Sequence, residues 1–360
     1  MLPVDVEMSG ALGPMVDEPP DCPGHGDPRF SAANDGYPEA EGRDDTEGGP
    51  LWAGHLVADH PGPGPRILLI GHLDTVFEPD SPFQKFERLD ANSAKGPGIT
   101  DMKGGNVVML QALKALNSTG ALKSMNIVVV LTGDEEAGGR PLAASRAALV
   151  KAAQGALVAI GFEDGASNPK TAVIGRRGTT GWELRVKGRP AHSSQIFNAE
   201  NGYGAIFETA RILNSFREKL AGQPHLTFNP GVIVGGTSVE YDPAASRGTG
   251  FGKSNVIAEH TVATGDVRAL SPEQFEAAKK TMQDIVAASL PQTSASLTFD
   301  DGYPPLAPTP GNERLLALYS QASLDVGTGQ VVAVDPDKAG AADVSFVAGR
   351  AGMILDGVGL

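Results

Sequence analysis

From Leu51 onward the apolar positions follow two rhythms, and the alternation between them predicts the fold. "RILLIGHL" is a short unbroken apolar run, as in a strand buried on both faces. "GGNVVMLQALKALNSTG" then carries Val107, Val108, Leu110, Leu113 and Leu116 at helical spacing, ending near Gly120. "MNIVVVLTGDEE" is a second continuous apolar strand closed by a polar turn, and "ALVKAAQGALVAIGFEDG" supplies a helix end and a further strand. Strands of this kind alternating with helices form a mainly parallel α/β sheet covered by helices on both faces. Chemistry in such sheets gathers beyond the carboxyl ends of the strands.

The rhythm changes between residues 177 and 300. "TTGWELRVKG" alternates like a half-buried strand and "GYGAIFETARILNSFREKL" is an amphipathic helix. Two strands follow, "HLTFNPGVIVGG" and "SNVIAEHTVATGDVRAL". A second helix, "SPEQFEAAKKTMQDIVAASL", has Ser271 as N-cap and Pro272 at its first position. "SASLTF" closes the unit. The order βαββαβ predicts an inserted ferredoxin-like α+β domain. The larger unit, 51–176, resumes over 301–360 with "NERLLALYSQAS" and "VVAVDP". Residues 1–50, rich in Pro, Gly and acid without apolar period, read as an irregular or disordered segment.

Composition narrows the partners. Lys plus Arg number 29 against 43 Asp plus Glu, a formal charge of −14, which argues against nucleic acid and anionic membranes. Cys22 is the single cysteine, so neither an internal disulfide nor a cysteine zinc site is expected. The start lacks the pattern of a signal peptide and no run is long enough to span a bilayer, so a cytoplasmic location is expected.

Four places carry candidate chemistry, each after a predicted strand or in a loop: His72 with Asp74, Asp101 in "TDMKGG", Glu135 with Glu136 in "GDEEAGG", and Glu163 with Asp164 in "GFEDG". Taken singly, each has an ordinary reading: a hydrogen-bonded pair, a turn residue, solvated acids. Placed together at one end of one sheet, they would repel strongly unless cations neutralised them.

These stretches, with "GRPAHSS", "SNVIAEHTVATGDVR" and "GAADVSF", resemble the aminoacylase, carboxypeptidase G and succinyl-diaminopimelate desuccinylase family of co-catalytic zinc hydrolases. The resemblance runs from about Leu51 to Leu360. It implies a zinc-binding catalytic domain interrupted by a dimerisation lid, with two Zn2+ per subunit. Residue by residue, it makes His72 and Glu163 ligands of one zinc, Asp101 the carboxylate bridging both, and Glu136 a ligand of the second. Glu135 becomes the general base and Asp74 the carboxylate that orients His72. It further implies that His192 reaches a partner subunit's site and that Asn255, Arg268 and Gly340 contact substrate. Two adjacent glutamates suit the chemistry, since a base must lie within reach of the metal without binding it.

One family feature is not found. A further ligand, a histidine beyond a segment like "ILDGVG", has no counterpart up to Leu360, so one well-formed zinc site and a weaker second are expected. The leading reading is zinc-dependent hydrolysis of an amide next to a free carboxylate, with C-terminal glutamate the favoured leaving residue. The alternatives are an N-acyl-amino-acid deacylase or dipeptidase, and a catalytically impaired metal-binding dimer. A Rossmann-type nucleotide site is disfavoured, because no glycine fingerprint follows the first strand.

Overall fold

The computed structural model describes residues 31–33 and 54–359. The chain opens with strands β1 (Ser31–Ala33), β2 (Leu56–His60) and β3 (Arg66–His72), then a two-residue ribbon of β4 (Glu87–Arg88) and β5 (Ala94–Lys95). Helix α1 (Gly104–Ser118) leads to β6 (Asn126–Thr132), the short helices α2 (Leu142–Ser145) and α3 (Ala147–Ala152), β7 (Ala156–Gly161) and β8 (Thr171–Ala172). The inserted stretch holds β9 (Gly178–Gly188), α4 (Gly204–Leu220), β10 (Thr227–Gly236), β11 (Ser238–Asp242), β12 (Arg247–Phe251), β13 (His260–Ala269), α5 (Pro272–Ala287) and β14 (Thr293–Phe299). The chain then forms α6 (Pro310–Asp325), β15 (Val332–Ala333) and β16 (Met353–Leu355).

The main sheet has the order β1-β2-β6-β3-β7-β16. Strands β6, β3, β7 and β16 run parallel, while β2 and β1 pair antiparallel at one edge. The parallel strands are buried on both faces, as their continuous apolar runs require. Leu68, Ile70, Val128 and Val130 pack on one side with Leu149, Val347 and Ile354. Leu69, Ile127 and Val129 pack on the other with Met109 and Leu122. The α1 stripe differs from the one expected. Val107 and Leu110 are exposed, whereas Gly105 and Met109 are buried, with Leu113 and Leu116 partly so, because the helix lies on the sheet along its 105–109–113 row. A Cβ at Gly105 would stand 1.8 Å from the carbonyl of Phe162, so the second glycine of "KGG" allows α1 to start against the β7 loop.

Two sequence expectations change here. Most of 1–50 lies outside the described residues, but Ser31–Ala33 is a strand pairing with β2 and not irregular chain. The "VVAVDP" strand is only β15, which pairs with β8 outside the main sheet.

The inserted elements form a separate antiparallel sheet of order β10-β13-β9-β14. That order, on a βαββαβ chain, is the split βαβ arrangement. Helices α4 and α5 cover one face, burying Trp182, Leu184, Ile212, Phe216 and Met282 in one cluster. The Ser271 side chain caps α5 by accepting the Gln274 amide at 3.2 Å. The β11–β12 hairpin is an addition without a sequence forecast. Its glycine-rich second strand, "RGTGF", has little alternation to read.

Candidate metal and active site

The parallel topology carries four strand ends to one place. His72 is the last residue of β3; β6 ends at Thr132 before Asp134, Glu135 and Glu136; β7 ends at Gly161 before Glu163; β16 ends at Leu355 before Asp356. Asp101 enters from the turn that precedes α1. His72 Nε2 lies 3.0 Å from Asp101 Oδ1 and 3.6 Å from Glu163 Oε1. Glu136 also brings a carboxylate oxygen close, so that ligand atoms of His72, Asp101 and Glu136 lie within 4.8 Å of one another. Beside them opens a cavity of about 310 Å3, lined by Asp101, Glu135, Glu136, Glu163, Asp164, Arg176 and Gly340 among others.

The charges of the cluster crowd one imidazole among several carboxylates. Burial opposes a charged imidazole at His72, but Asp101, Asp74, Glu163 and Glu135 outweigh it and push its pKa up to about 11. The same pairing holds Asp101 below the ordinary carboxylate range, through its hydrogen bond to His72. Burial raises Glu135 to about 8, with Asp343 adding to the shift. Burial likewise drives Glu163 well upward, with Asp356 next, and Glu136 upward, with Asp101 next. Glu136 Oε1 is buried without a hydrogen-bond partner. An orphaned acceptor among carboxylates that resist ionising is what a divalent ion would satisfy, and imidazole with carboxylates is a zinc donor set.

Surrounding groups fix this cluster. Asp74 accepts the backbone amides of Glu135 at 3.1 Å and Glu136 at 2.9 Å, and its Oδ1 stands 3.3 Å from His72 Nδ1. With Nδ1 turned to this carboxylate and, at 3.1 Å, to the Asp74 backbone carbonyl, Nε2 is left to face Asp101 and Glu163. Asp356, fully buried, accepts the Glu163 amide at 3.3 Å and pairs with Arg176 Nε at 2.7 Å. A Cβ on Gly161 would stand 2.3 Å from Asp356 Oδ1, so a glycine there makes room for that carboxylate. Arg176 also donates to the carbonyl of Gly340 at 2.8 Å, which places Gly340 on the cavity wall. Asp356, Arg176, Arg146, Asp343 and Tyr303 were not read from the sequence. Asp356 and Asp343 sit inside quoted motifs, "ILDGVG" and "GAADVSF", but nothing in those strings marks them as buried anchors.

Three residues of the inserted unit that the resemblance names lie away from this cavity. His192, Asn255 and Arg268 do not line the cavity, whose walls all come from the main-sheet unit. His192 is exposed, with Nδ1 2.8 Å from Ser194 Oγ. Asn255 is exposed and its carbonyl accepts the Ser193 amide at 2.9 Å. Arg268 donates to Asp266 at 2.9 Å, a local pair within β13.

The model of peptidase family M20/M25/M40 matches residues 68–359. The chain belongs to this family. Among curated relatives, carboxypeptidase G2 of a Pseudomonas species is 25% identical over 302 residues, covering 82% of this chain and 66% of its own length. A probable succinyl-diaminopimelate desuccinylase of Staphylococcus epidermidis is 31% identical over 145 residues, covering 39% of this chain and 34% of its own length. The chain thus spans less than two thirds of these relatives. Solved structures of an aminopeptidase from Bacillus cereus and a tripeptidase from Staphylococcus aureus superpose with TM-scores of 0.64 and 0.63 at 19% and 20% identity. They cover 84% of this chain and 76% and 75% of theirs, and share its fold. Membership in the M20 family brings the expectation of zinc, and His72, Asp101, Glu136 and Glu163 fit it.

Proposed function

We propose that this chain hydrolyses an amide or peptide bond next to a free carboxylate, in the manner of a zinc carboxypeptidase. The observation that carries the reading is the meeting of His72 with Asp101, Glu136 and Glu163 beside a cavity that these three carboxylates and Glu135 line. Zinc held by His72, Asp101 and Glu163, with Glu136 toward a second ion, would supply Lewis acidity to the scissile carbonyl. Glu135 takes a proton from the attacking water as the C–O bond forms. It returns that proton to the departing nitrogen as the C–N bond breaks. Asp74 holds Glu135, Glu136 and His72 in one register. Similarity to carboxypeptidase G2 favours release of a C-terminal residue, with glutamate the choice suggested by the motif resemblance, and similarity to the desuccinylase keeps an N-acyl-amino-acid substrate as the second reading.

The test is a panel of N-acyl amino acids and dipeptides, each as the free acid and as the carboxamide, assayed with the zinc-loaded protein. Hydrolysis of the acids alone, abolished by a chelator and restored by zinc, is expected. Equal turnover of the carboxamides would remove the carboxylate requirement.

A homodimer through the inserted unit belongs to the same proposal. Ile206 and Phe207 on α4 are each 51% exposed, beside Phe197 at 55%, whose ring meets Phe207 at 5.3 Å. Apolar side chains grouped in this way favour a covered face. Sedimentation of a Phe207→Asp variant should show the monomer if the face is so used. An unchanged dimer, or a monomeric parent, would remove it.

A further inference from the structure

Tyr303 has no part in the chemistry above, yet it touches the loop that carries it. It lies on the crossing by which the chain returns from the inserted unit, just after β14. The outgoing and returning crossings run side by side: the Thr179 amide donates to the Tyr303 carbonyl at 3.0 Å, and Arg176 and Leu306 exchange two backbone bonds at 2.9 Å. From this crossing the Tyr303 hydroxyl donates to the backbone carbonyl of Glu135 at 2.8 Å. It also accepts from Arg146 Nη2 at 2.7 Å. Its ring packs edge-on against Phe346, 4.9 Å between centroids.

Arg146 is fully buried and extends the hold. Its Nη1 donates to Asp134 Oδ1 at 2.6 Å, its Nη2 to the Asp134 carbonyl at 2.8 Å, and its Nε to Asp343 Oδ1 at 2.6 Å. The Asp134 carboxylate accepts the Gly139 amide at 2.9 Å. Asp301, two residues before Tyr303, accepts the Leu142 amide at 2.5 Å, just beyond the loop. The loop from Gly133 to Gly139 is therefore held at both ends by Asp134 and Arg146. At Glu135 itself the backbone is fixed by Asp74 on the amide and Tyr303 on the carbonyl.

A buried arginine needs acceptors for stability alone, and Asp134 with Asp343 would meet that need. The bond from Tyr303 to Glu135 is not required by it. The geometry points to Tyr303 as a positioning residue: it fixes the peptide of Glu135, hence the direction of its carboxylate, and ties it to the crossing between the two units. The inference rests on the reading of Glu135 as the base.

Tyr303→Phe keeps the ring and removes the hydroxyl bonds to Glu135 and Arg146, together with the longer approach to Asp343 Oδ1 at 3.5 Å. In the zinc-loaded full chain, hydrogen exchange of the amides in 133–139 should quicken by roughly tenfold, the effect of one lost hydrogen bond on local opening. Exchange elsewhere and zinc stoichiometry should hold. On any substrate that the parent turns over, kcat should fall by roughly tenfold with KM within about twofold. Thr309→Ala, which removes the α6 cap, serves as a destabilised comparison with loop exchange and kcat unchanged. Exchange in the loop unaltered by Tyr303→Phe, or quickened equally throughout the chain, would overturn the positioning role without any substrate. Glu135→Gln in the same assay separates the two ideas. Full activity in Glu135→Gln overturns both, whereas an inactive Glu135→Gln beside a fully active Tyr303→Phe overturns the positioning alone.

Discussion

Asp74 accepts the backbone amide of Glu136 at 2.9 Å while its Oδ1 stands 3.3 Å from Nδ1 of His72. One carboxylate therefore sets the imidazole proposed as a metal ligand and the loop that bears the proposed base. Asp74→Asn keeps the shape, one side-chain acceptor and the backbone carbonyl 3.1 Å from His72 Nδ1, but gives up the negative charge beside the imidazole. Zinc affinity should fall by about 10–100-fold. Isothermal titration measures it, and an affinity equal to the parent's would reduce Asp74 to a loop anchor.

Glu135 and Glu136 are adjacent, but only Glu136 joins His72 and Asp101 in a group of mutually close ligand atoms. Their roles should separate on substitution. Glu135→Gln retains zinc and loses turnover by roughly 10²–10⁴-fold, the contribution of a positioned general base. Loss of zinc from Glu135→Gln would exchange the two assignments.

The positions of these groups were legible to different depths. His72 ends a strand, Glu135, Glu136 and Glu163 follow strands and Asp101 precedes a helix, and their convergence follows from parallel strands sharing one carboxyl end. The βαββαβ order was equally readable, because alternation and helical spacing are local properties. Asp356, Asp343 and Arg146 were not, since each acts through partners far along the chain. Arg146 meets Asp343 across 197 residues and Arg176 meets Asp356 across 180. No local period records such pairings. The face of α1 failed for a related reason: Val107 and Leu110 are as apolar as their neighbours, and only the docking angle on the sheet turns them outward.

Without metal, folding stability should fall as pH rises through the neutral range. Glu135 has a folded pKa raised from 4.5 to about 8, and His72 one raised from 6.5 to about 11. A raised folded pKa means that the folded state binds more protons than the unfolded one. The stability contributed by Glu135 is complete below its unfolded value and is lost as pH climbs through about 8. That of His72 is lost in turn as pH climbs toward about 11. Asp74 and Asp101, with lowered values, lose their contribution only on the acid side of the ordinary carboxylate range. The melting temperature of chelator-treated protein should therefore decline from pH 5 to 9. Zinc, by replacing the protons, should flatten the decline. A melting temperature that rises over this range would show that the cluster does not carry the proton-binding excess.

Metal count follows from the same donor set. His72 Nε2 faces Asp101 Oδ1 at 3.0 Å and Glu163 Oε1 at 3.6 Å, giving three protein ligands with a position left for water. In the proposed assignment a second ion would have Glu136 and the shared Asp101, both of which also lie close to His72, and among the described residues no other imidazole joins this group. Two carboxylates hold zinc poorly without a third donor, and Glu136 Oε1 stays buried without a hydrogen-bond partner. Titration of the 360-residue chain should find one tight zinc and a second that binds weakly. Glu163→Gln should weaken the tight site, and Glu136→Gln should leave it in place. Two tight sites of equal affinity would require a further ligand from elsewhere. A tight site lost in Glu136→Gln but kept in Glu163→Gln would mean that the ion sits among His72, Asp101 and Glu136 instead.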